Sequence, residues 1–226
     1  MTIVPWALAA ALLLAALPGA AQQPPVASAA SPAAPTAGST APAASAVATE
    51  CDLLAGDPSD PDKAGPGVAA AQLRAWNDSA TLACLRAVQA DPGSGRLHYN
   101  LGRALFEKPE RHTEAQREFR VAAEQHHRQA QFVLGLLYTD GVPGELAADA
   151  CAALPLWRDA ADRGHAAARV SLAHAFARGQ YRACTTVPSR ATVEAYIAAA
   201  AAAAEGDYYG RLLIADLRER LAAPAP

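Results

Sequence analysis

Two short phrases recur along this chain at the spacing of helical hairpins. The first is aromatic-x-x-Ala-Ala, in Phe119-Arg120-Val121-Ala122-Ala123 and again in Trp157-Arg158-Asp159-Ala160-Ala161. The second is Ala-x-x-x-Leu-Gly-x-x-aromatic, at residues 130–138, with a looser copy at 168–176. Their anchors Leu101-Gly102, Leu134-Gly135, Leu172-Ala173 and Ile214-Ala215 lie 33, 38 and 42 residues apart. A period of that length belongs to helical solenoids, in which each hairpin buries its apolar face only against its neighbours. Such an architecture offers an extended surface, and most solenoids bind rather than catalyse.

The period does not reach the first 49 residues, which carry no charged side chain. Residues 7–17 are an unbroken apolar run of eleven, too short for the ~20 residues that span a bilayer as a helix. Pro18-Gly19-Ala20-Ala21 follows, with small residues where a signal peptidase cuts. Residues 1–21 therefore read as a secretory signal cleaved before Gln22. Residues 22–49 are almost entirely Ala, Pro, Ser, Thr and Gly. Such a stretch cannot bury enough apolar area to offset chain entropy and reads as a disordered tether. The expected organisation is signal 1–21, tether 22–49, helical repeat domain 50–222 and tail 223–226, with no membrane insertion after cleavage. A net charge of -3 favours neither nucleic acid nor an anionic membrane surface.

All four cysteines, Cys51, Cys84, Cys151 and Cys184, lie after the signal. An even count in an exported chain points to disulfides and an oxidising compartment, with three connectivities to choose from. Cys51 and Cys84 are 33 residues apart, as are Cys151 and Cys184, which is about one repeat. Cys151 falls just before the second helix of one hairpin, and Cys184 in the loop before the corresponding helix of the next. Stacked repeats place such loops on one edge. The expected pairs are Cys51 with Cys84 and Cys151 with Cys184. The lack of a C-x-x-C motif, and of a His at ligand spacing from a cysteine, argues against a structural metal.

Start and stop signals give helices at 79–90, 96–107, 113–125, 129–139, 152–163, 166–178, 193–205 and 208–221. Asp78 or Ser79 caps the first, whose Leu82, Leu85 and Val88 share a face. Thr113 and Gln116 form a capping box, Pro155 falls in a first turn, and Gly164 is a left-handed C-cap. No run alternates like a strand. The fold class is all-α, a short right-handed α-α superhelix of seven or eight helices. Its repeats span about 97–129, 130–167 and 168–206, with a capping helix at 207–222. Leu101, Leu134, Leu172 and Ile214 make the continuous core. Gly102, Gly135 and Ala173 form a column where helices approach closely. Ala160 and Ala161 do the same from the partner helix, while Phe119, Trp157 and Tyr196, or a residue near it, fill the wider gap.

The run Ala130-Gln131-Phe132-Val133-Leu134-Gly135-Leu136-Leu137-Tyr138-Thr139-Asp140-Gly141-Val142-Pro143, followed by Leu156-Trp157-Arg158-Asp159-Ala160-Ala161-Asp162-Arg163-Gly164-His165, resembles a Sel-1-like repeat. That family is related to the tetratricopeptide repeat and has a longer, glycine-containing loop between its helices. The resemblance covers roughly residues 97–215. The first copy lacks the Gly-Val-Pro loop and carries His126 where the middle copy has Gly164, a left-handed position that His tolerates. The third replaces the loop by Gly179-Gln180-Tyr181-Arg182-Ala183-Cys184. Cys51-Asp52-Leu53-Leu54-Ala55 with Ala83-Cys84 resembles the N-terminal cap of exported bacterial members. The resemblance implies a periplasmic or secreted bacterial protein that binds a protein or peptide partner, as an adaptor, an assembly factor or an inhibitor. It also implies an alternative, because cysteine-rich secreted relatives are linked to penicillin binding: a hydrolase of β-lactam or cell-wall substrates.

The motifs for that alternative are missing. No serine has a lysine three residues on, and G-x-S-x-G, H-E-x-x-H, the P-loop and G-x-G-x-x-G are absent. No catalytic residue, cofactor or metal site is assigned. His112, His126 and His127, or His165 with His174, invite a metal. His127 and His165 sit at matching inter-helix corners, however, where local hydrogen bonding is the better reading. Asp57, Asp60 and Asp62 alternate with Pro58 and Pro61 and read as a stiffened turn rather than a calcium loop. What remains is a surface. First helices line the concave side of such superhelices, and positions one before and two after each anchor point there: Asn100 and Arg103, Val133 and Leu136, Ser171 and His174. This stripe is the candidate groove for a peptide segment, with Arg103 and His174 expected to be dispensable for stability. The alternative is that Val133 and Leu136 are core. Self-association is a further way for a short solenoid to gain surface.

Overall fold

The structure is a computed structural model, and it describes residues 47–222. The expected signal, most of the expected tether and the tail lie outside the described residues. Among the described residues the chain forms ten α-helices and no strand. They are α1 Glu50–Ala55, α2 Ala70–Ala75, α3 Asn77–Ala90, α4 Gly95–Phe106, α5 His112–Glu124, α6 Arg128–Asp140, α7 Ala150–Asp162, α8 Ala166–Ala177, α9 Arg190–Ala203 and α10 Tyr208–Ala222. Helices α4 and α5, α6 and α7, and α8 and α9 pack as three hairpins, and each second helix also packs on the first helix that follows it. Helices α1 and α3 cover α4 at one end, and α10 packs on α8 and α9 at the other.

The repeated phrases explain the corners. In α5 and α7 the carbonyls of Ala122 and Ala160 accept the N–H groups of His127 (3.0 Å) and His165 (2.9 Å). That closure needs a left-handed residue just before each His, and His126 (φ 59°) and Gly164 (φ 92°) supply it. His127 and His165 then cap α6 and α8, each Nδ1 accepting the N–H three residues on, from Ala130 (3.3 Å) and Ala168 (3.1 Å). The glycine column is a matter of space. A Cβ on Gly102 would sit 2.7 Å from the Phe119 ring, and one on Gly135 would sit 2.3 Å from the Trp157 indole. Leu101, Leu134, Trp157, Ala160, Ala161 and Leu172 are buried.

The core has two lobes. One runs from Cys51 to Leu134 and the other from Leu154 to Leu221. They share α6, where Val133, Leu137 and Tyr138 pack on the first lobe, and Phe132 and Leu136 on the second.

Several local expectations are corrected. Helix α3 begins at Asn77 after Trp76, with no side-chain cap, rather than at Asp78 or Ser79. Leu82 and Leu85 are exposed, and α3 buries Ala80, Thr81, Ala83 and Cys84 instead. Helix α1 lies across that face, joined through Cys51–Cys84 with Cα atoms 4.5 Å apart, so only small side chains fit between them. Thr113 and Gln116 form no capping box, because a 3-10 turn over Pro109–Arg111 runs directly into α5. The capping box lies at Thr49 and Asp52. Asp149 caps α7 at Ala150, which moves Pro155 out of the first turn to an exposed position in the second. Ser189 caps α9 and starts it at Arg190.

Candidate binding face

The stripe of first-helix positions divides in two. Its leading pair is turned to the chain's own N-terminal segment. Asn100, 1% exposed, donates from Nδ2 to Asp52 (2.9 Å), whose carboxylate also meets Arg96. Arg103 donates to three carbonyls, those of Ala55 (2.9 Å), Gly56 (2.7 Å) and Val68 (2.7 Å). Asn100 and Arg103 are therefore engaged by the chain's own segment rather than free groove residues, and Arg103→Ala is expected to lower stability. Residues 50–62 hold five acidic side chains; Arg96 and Asn100 meet one of them, Asp52, while Arg103 meets the neutral carbonyls of the segment.

The same face continues onto the start of the second hairpin. The Tyr99 hydroxyl donates to Asp57 Oδ2 (2.6 Å), and Gln129 Nε2 donates to the same oxygen (3.2 Å). Burial and the Asp57 charge push the Tyr99 hydroxyl well above its ordinary pKa. The Arg128 guanidinium grips Asp62, Nε approaching Oδ2 at 3.0 Å. Burial works against ionisation of Asp62, but the hydrogen bonds and charge of Arg128 hold its carboxyl below the usual range. The segment from Thr49 to Val68 thus lies along the inner side of α4 and the first turn of α6.

Asp60, Asp62 and His127 form a group whose donor atoms lie within 4.8 Å of one another. Among the described residues no such group includes His112, His126, His165 or His174. Asp60 Oδ2 and His127 Nε2 are both buried and 3.1 Å apart, and neither has a well-aligned hydrogen-bond partner. Tautomer chemistry decides what this group can do. His127 Nδ1 accepts the Ala130 N–H, so the neutral ring carries its proton on Nε2, toward Asp60. That nitrogen has no lone pair for a metal, and Asp62 already holds Arg128. The group is a polar clasp. His165 repeats the arrangement, with Nδ1 capping α8 and Nε2 2.6 Å from Gln129 Oε1.

Beyond Gln129 the face is open. Val133 and Leu136 are half-buried, one against each lobe, and Ser171 and His174 are half-buried on α8. Burial lowers the His174 pKa, and Arg178 and Arg220 lower it further, so the imidazole is neutral at physiological pH. On the other side of the hairpins, Leu134, Tyr138, Ala152 and Leu156 line a shallow trough of about 320 Å³, with Arg120 and Glu124 at its rim.

Sequence reasoning missed the residues that hold the N-terminal segment: Arg96, Tyr99, His127, Arg128 and Gln129. A signal was present in the unbalanced acidic run 50–62, which needs cations from elsewhere in the fold.

The two cysteine pairs stand at bonding distance, Cys51 with Cys84 and Cys151 with Cys184, each with S–S 2.01 Å. They go with an oxidising, extracytoplasmic environment. No described helix is long and apolar enough to cross a membrane.

These features define a class: a short all-α solenoid of stacked helical hairpins, closed at one end by a disulfide-linked helix pair. Among solved structures, the chain is similar to a Sel1 repeat protein from Oxalobacter formigenes. The identity is 23%, the match covers 58% of this chain and 97% of that chain, and the TM-score is 0.47. No family model and no curated protein matches the chain.

Proposed function

We propose that this protein is an exported protein-interaction module that captures a peptide segment of a partner on the open part of its first-helix face, at Val133, Leu136, Ser171 and His174. One observation carries the reading. The same face, toward the N-terminal end of the stack, already holds an irregular, turn-rich segment, residues 56–68, through Tyr99, Arg103, Arg128 and Gln129. A surface that positions a chain segment by side-chain hydrogen bonds, and then continues uncovered, is suited to a second segment supplied in trans. In this reading residues 1–21 export the chain and 22–49 tether the domain, in the periplasm or outside the cell. The partner makes it an adaptor, an assembly factor or an inhibitor.

The test is capture from a periplasmic extract by the oxidised protein and by the double variant Leu136→Asp with His174→Ala. Loss of the captured protein at unchanged melting temperature is the expected result. Undiminished capture by a folded variant would falsify the assignment of the face. A covalent adduct with a fluorescent penicillin would replace the reading with a hydrolase.

A further inference from the structure

Nine large apolar side chains are exposed among the described residues, and seven of them lie at the two ends of the stack. At one end Leu53 of α1 and Leu82 and Leu85 of α3 flank the Cys51–Cys84 link, 52%, 54% and 39% exposed. At the other, Tyr208, Tyr209, Leu212 and Leu213 crowd the first half of α10, 61%, 62%, 51% and 44% exposed. Single exposed leucines are ordinary, but clusters mark interaction sites. They are also what a capping repeat is expected to lack, since solubility calls for a polar outer face there.

The register of the repeats shows what the α10 cluster is shaped to meet. At the first two anchors, the residue two before the leucine stacks on the His that caps the next first helix. Tyr99 does so on His127 (ring centroids 5.1 Å apart) and Phe132 on His165 (4.9 Å). Leu212 holds that position in α10, and among the described residues no further first helix covers it. Helix α10 is thus a first helix whose forward side, covered by a further hairpin in the earlier repeats, is bare. The opposite end answers it. Helices α1 and α3 make a hairpin-like pair with leucines on the outside, and residues 48–90 carry six acidic against three basic side chains. Residues 208–222 carry three basic against two acidic.

The geometry points to head-to-tail self-association, in which Tyr208, Tyr209, Leu212 and Leu213 of one copy pack on Leu53, Leu82 and Leu85 of a second copy. The solenoid then continues in trans, by the same stacking of first helix on hairpin that builds it in cis. The contact is heterologous, so an open assembly of any length keeps one free donor end and one free acceptor end. Seven side chains fall short of the roughly 800 Å² per partner of a standard interface, so association depends on concentration.

Sedimentation velocity on the full oxidised chain tests it, with two variants at exposed positions. Leu82→Asp with Leu85→Asp disables one end, and Leu212→Asp with Leu213→Asp the other. Wild type is expected to grow past a dimer as concentration rises. Each variant, melting like wild type, is expected to stay monomeric alone. A mixture of the two is expected to give dimers and nothing larger, because only one competent pair of ends remains. Wild type that is monomeric throughout overturns the proposal. So does a Leu82/Leu85 variant that still associates while the Leu212/Leu213 variant does not, which is the signature of α10 pairing with itself.

Discussion

Residues 51–134 and residues 154–221 each bury an apolar cluster, yet the two lobes differ in what else they bury. Among the described residues, eleven polar or charged residues are buried, and ten of them, from Asp52 to Gln131, lie in the first lobe's part of the chain; only His165 lies beyond. The first lobe holds an irregular segment, Thr49 to Val68, that has no repeat partner and little regular structure. Apolar contact alone leaves such a segment free to slide, whereas a carboxylate between Arg96 and Asn100 fixes it at one register. The second lobe is built of hairpins. There alanines on one helix face aromatics on the next, and shape complementarity sets the register without buried charge. Irregular chain needs directional bonds; repeated chain needs matched volumes.

The contrast breaks most sharply at Asp52. Asp52→Ala leaves the Arg96 guanidinium and Asn100 buried without their acceptor and also removes the α1 capping box. Stability is expected to fall by about 3–5 kcal/mol, read from the urea midpoint. Arg103→Ala, which takes a donor from three carbonyls, of which Gly56 O keeps the Val68 N–H (2.8 Å), acts in the same direction. The matched change in the second lobe is Arg169→Ala, which loses a bond from Nε to the Ala161 carbonyl (3.0 Å) and is expected to cost about 1 kcal/mol. Equal losses at Asp52 and Arg169 would erase the distinction between the lobes.

The disulfides sharpen it. Both close loops of the same sequence separation, 33 residues, so the chain-entropy model gives each about 3–4 kcal/mol. Access differs: Cys51 and Cys84 are fully buried, while Cys151 is exposed and Cys184 half-buried. Mild reductant is therefore expected to open Cys151–Cys184 first, with Cys51–Cys84 surviving until the first lobe unfolds. Mass mapping after timed alkylation reads the order, and simultaneous loss of both bonds would contradict it.

His165, buried at the corner before α8, gives the lobes a shared pH response. Burial, then the Arg128 charge, depresses its pKa from 6.5 to about 4. The unfolded chain takes up a proton near the ordinary value, while the folded chain does not until about pH 4. Stability is thus complete above pH 6.5 and falls as the pH drops toward about 4, by up to about 3 kcal/mol for this group. His174, also depressed, adds in the same direction. His165→Asn, which keeps a capping oxygen, is expected to flatten the decline; an unchanged slope would assign it to other groups.

How much of this was legible in the sequence follows from the same contrast. The hairpins, the Gly102 and Gly135 column, and the corners at His126-His127 and Gly164-His165 could be read because each repeats, and a repeat reports its own register. The leucines of α3 were misread. The rule that apolar residues face inward presumes room for them, and α1, arriving from 33 residues away through Cys51, leaves space only for Ala80 and Thr81. Asn100 and Arg103 were misplaced for a related reason. Their positions on α4 were right, but what covers them is a segment nearly fifty residues upstream that no local pattern announces.

The smallest effect probes matched volumes directly. A Cβ on Gly135 would meet the Trp157 indole at 2.3 and 2.4 Å, against 2.7 Å between one on Gly102 and Phe119. The rings also differ in freedom. Trp157 donates from Nε1 to the Phe132 carbonyl (3.0 Å) and cannot tilt away without losing that bond, whereas the phenyl ring of Phe119 has no such tie. Gly135→Ala is thus expected to cost about 1–3 kcal/mol by overpacking, and Gly102→Ala less, because its ring can yield. In the third hairpin the column already holds the fully buried Ala173, so Ala173→Gly is expected to lose roughly 0.5–1 kcal/mol of helix-interior backbone entropy together with about 0.8 kcal/mol for the buried methyl. Melting followed by circular dichroism ranks the three. If Gly102→Ala proves as costly as Gly135→Ala, the indole hydrogen bond is not what holds the ring against the gap, and packing density alone sets the spacing of both hairpins.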